Sequence, residues 1–138
     1  MPNERVDETA HLAAIVQSAE VAIYSQALDG TITSWNRAAE EMFGYSATEA
    51  LGQRIDLIIP DDRRDEEAAV AQRIRAGERV RHYATVRRTK RGERIEVSLV
   101  ASPIRSTDGA VIGVSKVARD ITAQRQVEAQ LSLKSVFV

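Results

Sequence analysis

Between Glu93 and Ile104 apolar and polar positions alternate, with Ile95, Val97, Leu99 and Ala101 on one side and Arg94, Glu96 and Ser98 on the other. A period of two is that of a half-buried strand. Four further segments have strand composition: Val21–Leu28, Thr31–Trp35, Val80–Thr89 and Val111–Ala118. Helical spacing occupies the remaining apolar positions. Leu12, Ile15, Val16 and Ala19 form a narrow stripe on Asp7–Ala19, too short to be stable unless it docks on the domain or on a second copy. Asp61–Ala76 reads as a longer helix, with acids in its first turn, Arg73 and Arg75 in its last and Gly77 as cap, facing inward through Ala68, Ala71 and Ile74. Ala123–Leu133 is rich in strong helix formers, with Ile121, Val127 and Leu131 as a weak apolar side.

Turn and cap residues fix where these elements meet. Asp29-Gly30 predicts a hairpin with positive φ at both central residues, and Asp108-Gly109 repeats the signal. Lys90-Arg91-Gly92 supplies a third turn. Asn36 can accept hydrogen bonds from free N–H groups at the start of a helix that Gly44 ends, and Ser46 with Glu49 forms a capping box for a second helix stopped by Gly52. The apolar run Ile55–Ile59 ends at Pro60. Strands joined by hairpins with helices inserted between them describe an α+β domain built on one five-stranded antiparallel sheet.

Composition leaves that picture intact and narrows the chemistry. A chain of 138 residues with 43% hydrophobic and 28% charged residues has room for one domain with a real core. Net charge of −1 gives no general attraction to nucleic acid or anionic membrane. The absence of cysteine excludes disulfides and thiolate chemistry and fits a reducing compartment. No apolar run approaches the roughly 20 residues needed to span a bilayer, and Met1–Thr9 is polar rather than signal-like, so a cytoplasmic location is expected.

Candidate catalytic groups are sparse. The two histidines, His11 and His82, have no partner at metal-ligand spacing, and no G-x-S-x-G elbow is present, so neither a metal site nor an enzyme is expected. Trp35 stands before the cap residue Asn36, where its ring can cover the hairpin edge and donate one hydrogen bond. In the basic run Arg79, Arg81, Arg87, Arg88, Lys90, Arg91 and Arg94, strand alternation splits Arg87 from Arg88, Glu78, Glu93 and Glu96 interrupt the field, and there is no aromatic ladder. It reads as a solvated sheet edge kept from aggregating by charge, not as a nucleic-acid surface.

The stretch Asp29–Gly52, with its W-N-x-A-A-E-x-x-F-G-Y-x-x-x-E-A-x-G spacing, resembles the signature half of a PAS domain, a small sensor module of signalling proteins. The resemblance runs from about Ala19 to Thr122 and includes the closing triplet Asp120-Ile121-Thr122, from which the family's outgoing helix starts. It implies a five-stranded antiparallel sheet with helices on one face, an arm and helix over 1–19, a core over 20–119 and an output helix over 120–138. Haem-binding relatives take an axial histidine from the long helix, and Asp61–Ala76 contains none. Flavin-binding light-oxygen-voltage relatives carry G-x-N-C-R-F-L-Q where this chain has Gly52-Gln53-Arg54-Ile55-Asp56-Leu57-Ile58-Ile59, so Ile55 stands at the reactive cysteine. Their polar flavin contacts correspond to positions near Val97 and Ala118. No cofactor is therefore expected. The interior is either a filled core or a pocket for a small apolar or amphipathic molecule walled by Met42, Ile58, Ile74, Val97, Leu99 and Ala101. Asp120 and Thr122 are the expected output hinge. Leu12, Ile15 and Val16 are the expected homodimer contacts, and the expected partner is an effector such as a histidine kinase or, next, a diguanylate cyclase. With no effector in the sequence, the apolar tail Val136-Phe137-Val138 suggests a truncated sensor or a partner contact.

Overall fold

A computed structural model describes the backbone of residues 2–136 and the side chains of residues 10–132. Phe137 and Val138 of the apolar tail lie outside the described residues. The elements run α1 (Pro2–Ser18), β1 (Ala22–Ala27), β2 (Ile32–Trp35), α2 (Arg37–Phe43), α3 (Ala47–Ala50), α4 (Arg64–Arg75), β3 (Val80–Arg88), β4 (Arg94–Arg105), β5 (Val111–Asp120) and α5 (Thr122–Val136). The five strands form one sheet in the order β2-β1-β5-β4-β3, antiparallel throughout. The last strand thus fills the centre, between the N-terminal hairpin and the β3–β4 hairpin.

All three hairpin loops share one geometry, and it differs from the expected one. In each, the glycine N–H donates to the carbonyl three residues back: Gly30 to Ala27, Gly92 to Thr89 and Gly109 to Ser106, each at 2.9 Å. Only the glycine has positive φ (92°, 85° and 89°), while Asp29 does not. This is the three-residue loop in which a turn is followed by a left-handed glycine, so the aspartate serves another purpose. Asp29 Oδ1 accepts from Thr31 N at 2.9 Å, and Asp108 Oδ1 accepts from Ala110 N at 3.2 Å, so each pins its loop from within.

The local caps fall where the sequence places them. Asn36 Oδ1 accepts from Ala39 N, Gly44 ends α2 at φ 83°, and Ser46 with Glu49 closes the capping box of α3. Two segments differ from expectation. Ile55–Ile58 forms a 3₁₀ turn, and the long helix opens with a 3₁₀ turn at Asp61–Arg63 before α4 begins. The buried side of α4 is Glu67, Val70 and Ile74, not Ala68, Ala71 and Ile74; Ala68 is exposed.

The core lies between the sheet and the helices α2 to α4. Tyr24, Trp35 and Phe43 form an aromatic cluster with ring centroids 5.3–5.6 Å apart, joined by Leu99, Val97, Ile58 and Ala118. Trp35 Nε1 donates to Tyr45 O at 2.9 Å, the anchoring role its position suggests. A second cluster, Val70, Ile74, Val80, Ala101 and Val114, holds α4 to the sheet. Among the described residues no helix is long and apolar enough to cross a membrane.

Candidate functional site

Strand alternation decides which side chains enter the interior. On β1 these are Ala22, Tyr24 and Gln26, on β4 Val97, Leu99 and Ala101, and on β5 Val114, Lys116 and Ala118. On β3 they include Thr85 and Arg87. Register then aligns Tyr24 with Lys116 and Lys116 with Ala101. A lysine and an arginine are therefore carried into a face that is otherwise apolar, with Arg87 at 0% and Lys116 at 1% exposure.

Glu67, on the inward side of α4, meets both. Lys116 Nζ donates to Glu67 Oε1, and Arg87 Nη2 donates to Glu67 Oε2 at 3.3 Å. Arg87 Nη1 also donates to Val86 O at 3.0 Å and to Thr85 Oγ1 at 3.3 Å, while the Thr85 hydroxyl donates to Glu66. Two cations thus share one buried carboxylate, an arrangement that holds together only while all its members are present.

The phenols of Tyr24 and Tyr83 belong to the same neighbourhood. Burial pushes Tyr24 well above the ordinary tyrosine range, with Arg87 pulling back and Glu67 pushing further. Tyr83 is raised by burial first and by Glu67 second. Both hydroxyls keep their protons at neutral pH and stay available as donors. Burial pushes the Lys116 ammonium down, against the upward pull of Glu67. Tyr83 Oη and Gln26 Oε1 are buried without a hydrogen-bond partner among the described residues, while the Tyr24 hydroxyl lies against the Arg87 guanidinium.

A cavity of about 210 Å³ reaches this cluster from outside. It is lined by Gln26, the hairpin loop Leu28–Gly30, the segment Arg54–Asp56, and Arg64, Glu67, Ala68 and Ala71 of α4.

The residues expected to wall a pocket fall elsewhere. Ile58, Ile74, Val97, Leu99 and Ala101 are all 0% exposed and packed, divided between the two core clusters. Met42 is only half-buried and borders a surface groove with Glu41, Gly44 and Thr89 to Arg91. None of the six lines the cavity that reaches the interior. The interior is not the wholly apolar space expected, because Arg87 and Lys116 enter it. The basic run is corrected at the same point: Arg79, Arg81, Lys90, Arg91 and Arg94 are exposed, but Arg87 points inward. The expected split of Arg87 from Arg88 by strand alternation holds, and the one that faces the core is Arg87. Lys116, flanked at two-residue spacing by Val114 and Ala118, carried the same signal.

The expected hinge is a tight joint between β5, β4 and α5. Asp120 Oδ1 accepts from Thr122 N at 2.9 Å, and Thr122 Oγ1 accepts from Glu96 N at 3.0 Å. Ile121 N donates to Glu96 O at 2.9 Å, and Arg125 Nε lies 3.7 Å from Glu96 Oε2. At the other terminus α1 packs against α2, and Leu12, Ile15 and Val16 remain 62%, 50% and 36% exposed. His11 and His82 are both exposed, and among the described residues no cluster of potential metal ligands occurs.

Comparison with known proteins agrees with this architecture. Phytochrome B1 of Solanum lycopersicum is 28% identical over 137 residues, which is 92% of this chain and 12% of that protein. The chain therefore spans about an eighth of the length of that relative. The structure of an RNA-binding light-oxygen-voltage receptor superposes with a TM-score of 0.77 at 23% identity, covering 94% of this chain and 38% of the other. A domain of the sensory box sensor histidine kinase/response regulator from Geobacter sulfurreducens superposes at 0.66 and 23% identity, covering 82% and 94%. The family model for the PAS fold matches residues 10–121. With the sheet order, the capped helices and the closing Asp120-Ile121-Thr122 joint, that match establishes that the chain belongs to the PAS fold family.

Proposed function

We propose that this chain is a sensory and protein-interaction module that takes up a small molecule in its interior and passes the change through α5 to an effector such as a histidine kinase. It has no catalytic role of its own in this reading, and it acts in the cytoplasm. The observation that carries it is the joint at Glu96. This residue lies on β4 next to the inward-facing Val97, and its backbone N–H and C=O bond to Thr122 Oγ1 and Ile121 N respectively. A shift of β4 therefore reaches the first turn of α5 directly. A ligand can move that joint only by binding its two arrangements unequally, with about 1.4 kcal/mol for each tenfold difference.

Replacing Thr122 with valine removes the hydroxyl and keeps the side-chain shape. Amides of the first two turns of α5 should exchange with solvent about tenfold faster, while those of β1 and β5 keep their protection. Unchanged exchange in α5 would show that the joint does not couple helix to sheet.

A second reading, a homodimerisation module, has its own observation. Apolar residues are left exposed on α1 (Leu12, Ile15) and on the outer face of the sheet (Ile112 at 52%, Val117 at 37%), and a second copy could cover both. Sedimentation velocity should show a dimer that Leu12→Ser with Ile15→Ser converts to monomer. A wild-type monomer at 100-micromolar order of concentration would dismiss this reading, since specific dimers of standard interface size are tighter.

A further inference from the structure

The sheet has two edges, and only one is closed. On β2, Ile32 N donates to Gln53 O at 2.8 Å and Gly52 N donates to Ile32 O at 3.0 Å, so the segment after α3 covers that side. β3, at the other end of the strand order, has no such cover among the described residues. Glu96 spends its backbone N–H on Thr122 Oγ1 and its C=O on Ile121 N, both on the side of β4 away from β3. Val86, which stands opposite Glu96, therefore turns its own N–H and C=O outward, and by alternation Ala84 and Arg88 do the same. Of these groups only Val86 O has a partner, the Arg87 guanidinium at 3.0 Å. Unpaired positive charge collects along the same edge. Among the arginines whose side chains are described, only Arg79, Arg81, Arg88, Arg91 and Arg119 make no hydrogen bond or ion pair, and all but Arg119 lie on β3 or at its ends. The others are committed, as Arg94 is to Asp62 and Arg75 to Leu28 O. Glu78 is held by Arg73 and Glu96 by Arg125, which leaves Glu93 as the one acid beside the run without an ion pair.

We propose that the free edge of β3 is the docking site for an acidic, extended segment of a partner protein, which adds to the sheet as a further strand beside Ala84–Arg88. The segment pairs its backbone with the outward N–H and C=O groups of Ala84, Val86 and Arg88. Its central side chains lie beside Ala84 and Val86, and carboxylates toward its ends meet Arg81 and Arg88, whose planar guanidinium groups take a carboxylate by two parallel hydrogen bonds. A second copy of this chain is the wrong occupant, because two such edges would bring their arginines together. The site is short. His82, at φ 47° in the bulge between Val80 and Tyr83, interrupts the edge at one end, and Lys90 N, which donates to Phe43 O, closes it at the other. A nucleic acid would use the charges and leave the backbone groups of the edge unpaired.

This surface needs neither a ligand in the interior nor the coupling at Thr122, so it goes beyond the sensory reading and is tested apart from it. The test titrates the full chain, labelled with nitrogen-15 in low-salt buffer, with the capped peptide Glu-Glu-Val-Thr-Val-Thr-Val-Glu-Glu and follows backbone amide resonances. Amides of Ala84–Arg88 should shift saturably and exchange more slowly with solvent once the peptide is bound. The same peptide N-methylated along its centre keeps the charge and loses the donors, and should bind at least tenfold more weakly. Arg81→Gln with Arg88→Gln should weaken binding at least tenfold, whereas Arg119→Gln, at the unpaired arginine away from the edge, should leave it unchanged. Where the first pair fails to fold, Arg81→Gln with Arg91→Gln, both at exposed positions, takes its place with the same expected loss. The assignment is overturned by the absence of saturable shifts at a peptide concentration on the order of 1 mM. Equal binding of the N-methylated peptide would overturn it by reducing the edge to a charge effect, and tighter binding of an oligouridylate at the same salt would assign the edge to nucleic acid instead.

Discussion

Glu67→Ala should lower the unfolding free energy by about 3–5 kcal/mol, a large share of the 5–15 kcal/mol typical of a domain. Arg87 and Lys116 would be left in the interior without their carboxylate, at 0% and 1% exposure. A substitution on an exposed helix face would cost at most about 0.5 kcal/mol, so the size of the effect reports the pairing itself. Urea unfolding measures it, and the midpoint rather than the slope should move. Lys116→Met in the same chain should recover part of the loss, because it removes one of the two stranded charges; a double-mutant cycle isolates that coupling. A loss below about 1 kcal/mol for Glu67→Ala would mean that the two cations reach water and the cluster is not buried in solution.

The second large effect is expected at Asn36, which is 1% exposed. Its Oδ1 accepts from Ala39 N and Ile23 N, both at 2.9 Å, and its Nδ2 donates to Val16 O at 2.9 Å and Val21 O at 3.0 Å. One amide thereby caps α2, holds β1 and ties down the end of α1. Asn36→Ala removes all four bonds and leaves buried backbone groups unpaired, so a loss of about 3–4 kcal/mol is expected at about 1 kcal/mol per bond. Asn36→Asp keeps the acceptor oxygen and loses the donor side. It should spare the cap of α2 while freeing the segment from Val16 to Val21, which hydrogen exchange resolves residue by residue. Equal protection of that segment in both the wild type and Asn36→Asp would contradict the shared role.

The contrast between Asn36 and Glu67 shows what was legible in the chain. The cap of α2 depends on residues three apart, so Asn36 declares it locally, as Ser46 and Glu49 declare the capping box. The hairpins were legible for the same reason, although the aspartate of Asp29-Gly30 turned out to hold the loop by its side chain rather than by an unusual backbone angle. The other half of Asn36, its bonds to Val16 and Val21, depends on how α1 and β1 meet and has no local signature. Glu67, Arg87 and Lys116 are further along the same scale. Charged side chains are ordinarily turned outward, and only the meeting of α4, β3 and β5 supplies the partners that allow these three inside. The apolar periodicity of β4 described the floor of the interior correctly and gave no account of its polar contents.

The place of β5 in the sheet also bears on how the chain folds as it is made. Its residues pair with β1 on one side, Ala22 with Ala118, and with β4 on the other, Leu99 with Ala118. The first hairpin to leave the ribosome is a two-stranded ribbon that cannot persist alone in water, and it must wait for almost the whole domain to be synthesised before its neighbour arrives. Folding is thus committed late, when one strand arrives that pairs with both β1 and β4. Chains cut before Val111 would have both hairpins and nothing to join them.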